Sequence, residues 1–278
     1  MSNNTTQNAE LFQNLLVQSQ YALYENSIAR AVSTVFDYPV GAGKVVSVPV
    51  WAGITSTKPG EGVAPAAADT NTNSKTITLA EHVVYAEVTD FLRDSAQESV
   101  ITGLANQAGL ALAEGLDKEL MALFLDALVT QEVGTANSDN TANDIMKAAA
   151  MIRGNKYTGP LFAVLHPKQA YGIKAALTGN AALTATNLQN RALDGFYVGT
   201  IAGVQIFESA LVTVDGASDA SGCVFAPGAF GIAQRGGVSM EEQRNAAKRS
   251  TDVVLTAVAG AGVLRPEMAV RIYGDATL

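Results

Sequence analysis

Nucleophilic, general-base and metal chemistry at neutral pH leans on histidine, thiolate and clustered carboxylates. This 278-residue chain offers two histidines, His82 and His166, and one cysteine, Cys223. Each histidine stands alone in its stretch of sequence, so a catalytic triad or a histidine-based zinc site has few parts to draw on. His166 precedes Pro167 where a strand gives way to a helix, and it is expected to cap that turn rather than act as a general base. His82 falls within a strand and is expected on a sheet surface. Cys223, in an apolar strand, reads as buried filler, and a single cysteine rules out an intrachain disulfide.

Gly41-Ala42-Gly43-Lys44 invites comparison with a phosphate-binding loop. The full pattern needs glycine where Tyr38 stands and Ser or Thr where Val45 stands. A strand also follows where the motif needs a helix N-terminus, so a flexible joint is the reading. Asp37, Asp69, Asp90, Asp94 and the Glu241-Glu242 pair are scattered, with neither EF-hand spacing nor supporting histidines. The run Arg244-Asn245-Ala246-Ala247-Lys248-Arg249 is dense in cations. It reads either as a solvated turn or helix face, or as a patch complementary to an acidic neighbouring subunit. No catalytic, cofactor-binding or metal-binding residue is assigned from these signals, and no cofactor is expected.

The elements that carry these residues follow from composition and periodicity. At 48% hydrophobic and 16% charged the chain has ample material for a core, and its net charge of -8 lacks the surplus of a phosphate-tracking protein. An acidic wall would suit a container for DNA, because like charges keep the polymer from adhering. Met1 to Gln7 is polar and unlike a signal peptide, and no apolar run reaches the roughly 20 residues of a membrane span. Folding in cytoplasm, with no membrane partner, is expected, so the glycosylation matches at Asn3 and Asn4 carry little weight.

Leu11, Leu15, Tyr21, Ala22, Ile28 and Ala29 predict an amphipathic helix over residues 10–32, set off by Tyr38-Pro39 and the glycines after it. Lys44–Trp51 and Lys75–Tyr85 alternate as strands and suggest a hairpin. Between them, 52–74 is rich in Gly, Pro, Ala, Thr and Asn, a composition that cannot bury a core of its own. Ser95-Ala96-Gln97-Glu98 is a capping box. It opens a helix whose stripe runs through Val100, Leu104, Ala108, Leu112, Leu116, Leu120, Phe124 and Leu128 to about Val129. From 144 the texture becomes α/β: helix 144–153, strand 160–165, helix 168–177, a hairpin over 196–207 and a strand over 223–227. Strands over 251–264 and 268–273 close the chain.

This order resembles the major capsid protein of tailed double-stranded DNA bacteriophages, of the Hong Kong 97 type. Local similarity lies in Leu165-His166-Pro167-Lys168-Gln169-Ala170-Tyr171, in 199–208, in 225–233 and in the closing 262–270. The resemblance implies an α+β fold with an N-terminal arm (1–43), an extended β-hairpin loop with flanking strands (44–92) and a peripheral domain with a spine helix (93–135). An axial domain (136–235) and a return to peripheral strands (236–278) complete it.

The implied function is non-chemical: hexamers and pentamers closing into an icosahedral shell around double-stranded DNA, bound without sequence specificity. Scaffolding protein and portal are implied partners, a decoration protein is a further one, and the virion capsid, assembled in the host cytoplasm, is the implied location. An arm and a hairpin that cannot bury themselves are best covered by a neighbouring copy. Trp51, Lys58 and Glu61 are the expected contacts there, joined by Arg244, Lys248 and Arg249 of the basic run. An encapsulin nanocompartment, enclosing a cargo enzyme, is the alternative on the same fold, and an α/β enzyme with a deep pocket is the rival of another class.

Overall fold

The computed structural model describes residues 15–23, 27–41, 43–51, 56, 58–62, 64, 72–91, 98–125, 130–178 and 197–277. Their strands form three sheets. The first has four strands in the order β1-β10-β11-β4, with β1 Thr34–Asp37, β4 Ala80–Thr89, β10 Phe230–Asn245 and β11 Ser250–Val263. The second has six, in the order β5-β12-β9-β6-β8-β7. These are β5 Glu132–Val133, β6 Leu161–Leu165, β7 Tyr197–Ile201, β8 Val204–Glu208, β9 Asp219–Phe225 and β12 Ala269–Asp275. The third is an antiparallel pair, β2 Val45–Trp51 with β3 Thr72–Thr78. Helices are α1 Ile28–Val32, α2 Glu98–Ala122, α3 Ala142–Gly154 and α4 Pro167–Thr178.

The 25 residues of α2 span about 37 Å at 1.5 Å per residue, long enough to serve both large sheets. Its first half packs Ala105, Ala108 and Leu112 on Val88, Val253 and Leu255 of the four-stranded sheet, with Leu15 and Leu23 of the helical stretch 15–23 in the same cluster. Its second half packs Leu116, Leu120 and Met121 in a cluster with Cys223 and Phe225 of the six-stranded sheet. The chain then tightens into a 3-10 turn, Leu123–Leu125. There Phe124 meets Phe225 and Phe230 at ring separations of 5.8 and 5.5 Å. The helix therefore ends short of the expected Val129, with Phe124 drawn into an aromatic cluster; 126–129, like the capping box before Glu98, lie outside the described residues.

On its other face the six-stranded sheet is covered by α3 and α4, whose Ile145, Ala149, Ile152, Ala170 and Ile173 meet Leu161, Ala163, Leu165, Val204 and Ile206. Strand β6 thus faces helices on one side through Leu161, Ala163 and Leu165, and the aromatic cluster on the other through Val164. This two-sided burial explains why its sequence is a continuous apolar run rather than an alternation.

Three expectations are revised. Lys75–Tyr85 is two strands: buried Leu79 packs with Val46, Ile77, Ala233 and Leu264, and the chain passes there from pairing with β2 to pairing with β11. The N-terminal helix is interrupted, with 15–23 and α1 as separate helical pieces and Ser27 capping the second. The arm then adds β1 in parallel to β10, so its last residues belong to the four-stranded sheet. Finally, the segment from 236 onward divides between two sheets: β11 pairs with β10 and β4, but β12 pairs with β9 and β5. A strand buried on both faces needs a partner edge with matching apolar partners, and β9 supplies it for β12.

Candidate functional site

Among the described residues, His166 caps a helix, Cys223 is buried in the core and His82 faces an acid of α2. His166 Nδ1 accepts from Lys168 N at 3.3 Å, and Gln169 Oε1 accepts from His166 N at 3.3 Å. With Pro167 at the first helical position this is a reciprocal cap for α4, as its place before the proline predicts. Burial and nearby Lys168 hold its pKa below the ordinary value, so the neutral ring that caps is favoured. Gln169 also donates to Ala220 O at 2.8 Å, tying α4 to β9.

Cys223 is fully buried, and burial pushes its thiol far up, away from thiolate chemistry. His82 lies on the helix-facing side of β4, with Nε2 3.3 Å from Glu119 Oε1 of α2. The contact is off the hydrogen-bond direction, and Glu119 raises the imidazole pKa above its usual 6.5 against the opposing effect of burial. Among the described residues no group of three or more His, Cys, Asp or Glu is placed to hold a metal ion, and no helix is long and apolar enough to cross a membrane.

What the fold builds instead are surfaces and joints. The β2–β3 hairpin turns Val46, Val48 and Val50 toward Phe36, Tyr38 and Leu264. Its other face presents Val45, Ser47, Pro49 and Trp51 beside Thr72, Ser74, Thr76 and Thr78. Trp51 is 62% exposed at the end of the pairing. Lys58 and Glu61, in the connection beyond it, are exposed as well. Trp51, Lys58 and Glu61, singled out from sequence, are thus each exposed.

The basic run ends β10 with Arg244 and Asn245 and makes the tight turn to β11 with 246–249. Its cations lie against the chain's own acids: Arg244 makes a bidentate pair with Asp90 at 2.7 and 2.8 Å, and Arg249 Nε lies 3.9 Å from the same carboxylate. Lys248 reaches Glu87 at 3.5 Å, and Ser250 donates to Glu87 at 2.7 Å. Ser250 and Lys248 hold the Glu87 carboxyl below its usual range. Asp90 was visible in sequence only as one of several scattered acids; nothing in its neighbourhood announces Arg244.

A third feature escaped sequence reading. Asp117 sits on the apolar stripe of α2 and is 3% exposed. It accepts from Ser27 Oγ at 2.7 Å, Ile28 N at 3.0 Å and Ala29 N at 3.0 Å, capping α1 from across the molecule. Burial pushes its carboxyl up, and the three donors partly offset this. The available signal was helical spacing: of the three acids between Ala113 and Leu120, Asp117 alone falls on the apolar face with Ala113, Leu116 and Leu120.

A sequence model described as phage capsid protein matches residues 72–272, from β3 to β12. The chain belongs to the phage capsid protein family. No curated protein sequence matches it. The capsid structure of Cyanophage P-SCSP1u aligns with a TM-score of 0.63 at 18% identity, covering 88% of this chain and 87% of that one. A structure of Mycobacterium phage Che8 aligns at 0.62 and 19% identity, covering 83% and 84%. The holo-SrpI encapsulin complex of Synechococcus elongatus PCC 7942 aligns at 0.62 and 15% identity, covering 90% and 88%. At these identities the structural likenesses establish the Hong Kong 97-type fold, while the family match establishes the role. The capsid protein is thus a structural, self-assembling shell component of a virion, and the joints and exposed hairpin described above are parts of that shell subunit.

Proposed function

We propose that this capsid protein assembles in the host cytoplasm as hexamers and pentamers that close into an icosahedral shell around double-stranded DNA. The observation that carries the reading is the hairpin: a strand pair with Trp51 and Val45 outermost has apolar surface that a neighbouring copy would cover. Trp51 is the proposed anchor, since a large exposed aromatic on a rigid strand gains most from burial at an interface. Lys58 and Glu61 supply polar contacts around it. Arg244, Lys248 and Arg249 act at a second contact, with their exposed sides facing an acidic neighbour while Asp90 and Glu87 hold the turn in shape. Scaffolding protein, portal and a decoration protein are proposed partners, and the subunit carries no catalytic step.

Likeness to an encapsulin complex favours one second reading, a shell around protein cargo. Electron microscopy of native particles with an assay for nuclease-protected nucleic acid separates the two. Shells with protected DNA are expected; shells holding protein cargo would favour the compartment, and only small soluble oligomers would defeat both. Trp51→Ala is expected to leave the subunit's melting temperature unchanged and to cut shell yield at least tenfold. A wild-type yield would remove Trp51 from the interface.

A further inference from the structure

We infer that Asp117 and Ser27 form a positioning latch that sets the direction of α1 in the N-terminal arm against the spine helix α2, and that shell closure depends on this setting. The assembly half of this inference rests on the shell reading above; the latch itself is a property of the single subunit.

The case begins with what α1 lacks. A five-residue helix is too short to hold itself together, and its first amides have no intrahelical acceptors. Ser27 meets part of this need, accepting from Arg30 N at 3.4 Å. The rest comes from α2, ninety residues away in sequence, where one Asp117 oxygen receives Ser27 Oγ and Ala29 N and the other receives Ile28 N. Its three donors are a hydroxyl and two amides.

Burying a carboxylate on such donors is a poor way to gain stability, since an apolar side chain at 117 would continue the stripe of Ala113, Leu116 and Leu120 at lower desolvation cost. It is an effective way to gain direction. Apolar contact is non-directional, whereas three hydrogen bonds to one carboxylate fix both the axis and the rotation of α1.

Direction matters because of what lies on either side. C-terminal to α1, Ser33 N closes the helix on Ala29 O at 3.1 Å and the chain enters β1, paired to β10. N-terminal to it, Ser27 fixes the start of α1 on Asp117. The helical stretch 15–23 meets α2 again at Gly109, where a Cβ would fall 2.4 Å from Ser19 O. The arm therefore meets the spine helix in the apolar cluster of Leu15 and Leu23, at the close approach of Ser19 to Gly109, and at Asp117, of which the last is polar and directional.

The test uses the full chain with Asp117→Asn and Ser27→Ala, and Ile145→Ala as a control that loosens the core of α3 far from the joint. Unassembled subunits are digested with a limiting protease, and assemblies are viewed by electron microscopy. Asp117→Asn is expected to speed cleavage before Thr34 at least tenfold with unchanged circular dichroism, and to yield open or misshapen assemblies. Ser27→Ala should show the same pattern at roughly threefold, and it is the variant to read if Asp117→Asn fails to fold. Ile145→Ala should lower the melting temperature without selective release of the arm. An arm as protected as in wild type would overturn the latch, and a released arm with normal shells would overturn its role in closure. Wild-type subunits that never form shells would defeat the shell reading, while arm release would still decide the latch.

Discussion

At the scale of residues, polar side chains in this protein do their work by fixing geometry. His82 gains an acidic partner whose effect changes near neutral pH. Glu119 raises its pKa above 6.5, so folding favours the imidazolium. Its stabilising effect is therefore complete below about pH 6.5 and is lost as pH rises through the raised folded-state value. Subunit melting temperatures of wild type and His82→Gln should differ in favour of wild type at about pH 6, and the difference should shrink by about pH 8. A difference that stays flat across that range would show that the pair contributes nothing through charge. His166 should give no comparable signal of the same sign, because its pKa is lowered and its neutral form makes the cap.

At the scale of elements, the decisive event is the crossing of the hairpin over the four-stranded sheet. Strand β11 passes so close to β3 that a Cβ at Gly260 would fall 2.1 Å from Thr78 O, and one at Gly262 would fall 2.8 Å from Ile77 Cγ1. The first obstacle is backbone, which cannot rotate aside. Gly260→Ala is expected to destabilise the subunit by about 1–3 kcal/mol, at the overpacking end of core substitutions. Because Leu79 N also bonds Lys44 O at 2.9 Å beside this crossing, the hairpin should become more protease-sensitive than α3 and α4. Uniform sensitivity across the chain, or no loss of stability in a denaturant melt, would mean that the crossing has slack. The same crossing explains why one apolar run, 75–85, became two strands: alternation was correctly legible, but the change of partner at Leu79 depends on strands more than 150 residues later.

At the scale of the whole molecule, charge and architecture point the same way. A subunit with net charge -8 has no surplus of cations with which to displace counterions from duplex DNA. Unassembled subunits are expected to leave duplex DNA unshifted in electrophoresis at about 150 mM salt. A shifted band that weakens steeply with added salt would contradict this and would point to a basic patch that the overall balance hides. Containment, in the proposed reading, comes from the closed shell and not from adhesion to its wall.

The sequence alone determined the element order, because helical stripes, strand alternation and glycine or proline breaks are local signals. The spine helix from Val100 onward, the hairpin of β2 and β3, the α3-β6-α4 succession and the capping role of His166 were all legible at that level. The family resemblance came from the same order. Tertiary structure decided what local signals do not contain: that β12 joins β9 rather than β11, that Phe124 closes α2 in an aromatic cluster, and that the basic turn meets Asp90 and Glu87 of β4 and its end. It also revealed Asp117 as the cap of a helix ninety residues away. Each of these pairs groups distant in sequence, and a residue's neighbours in space are set by how sheets and helices pack, which no window along the chain records.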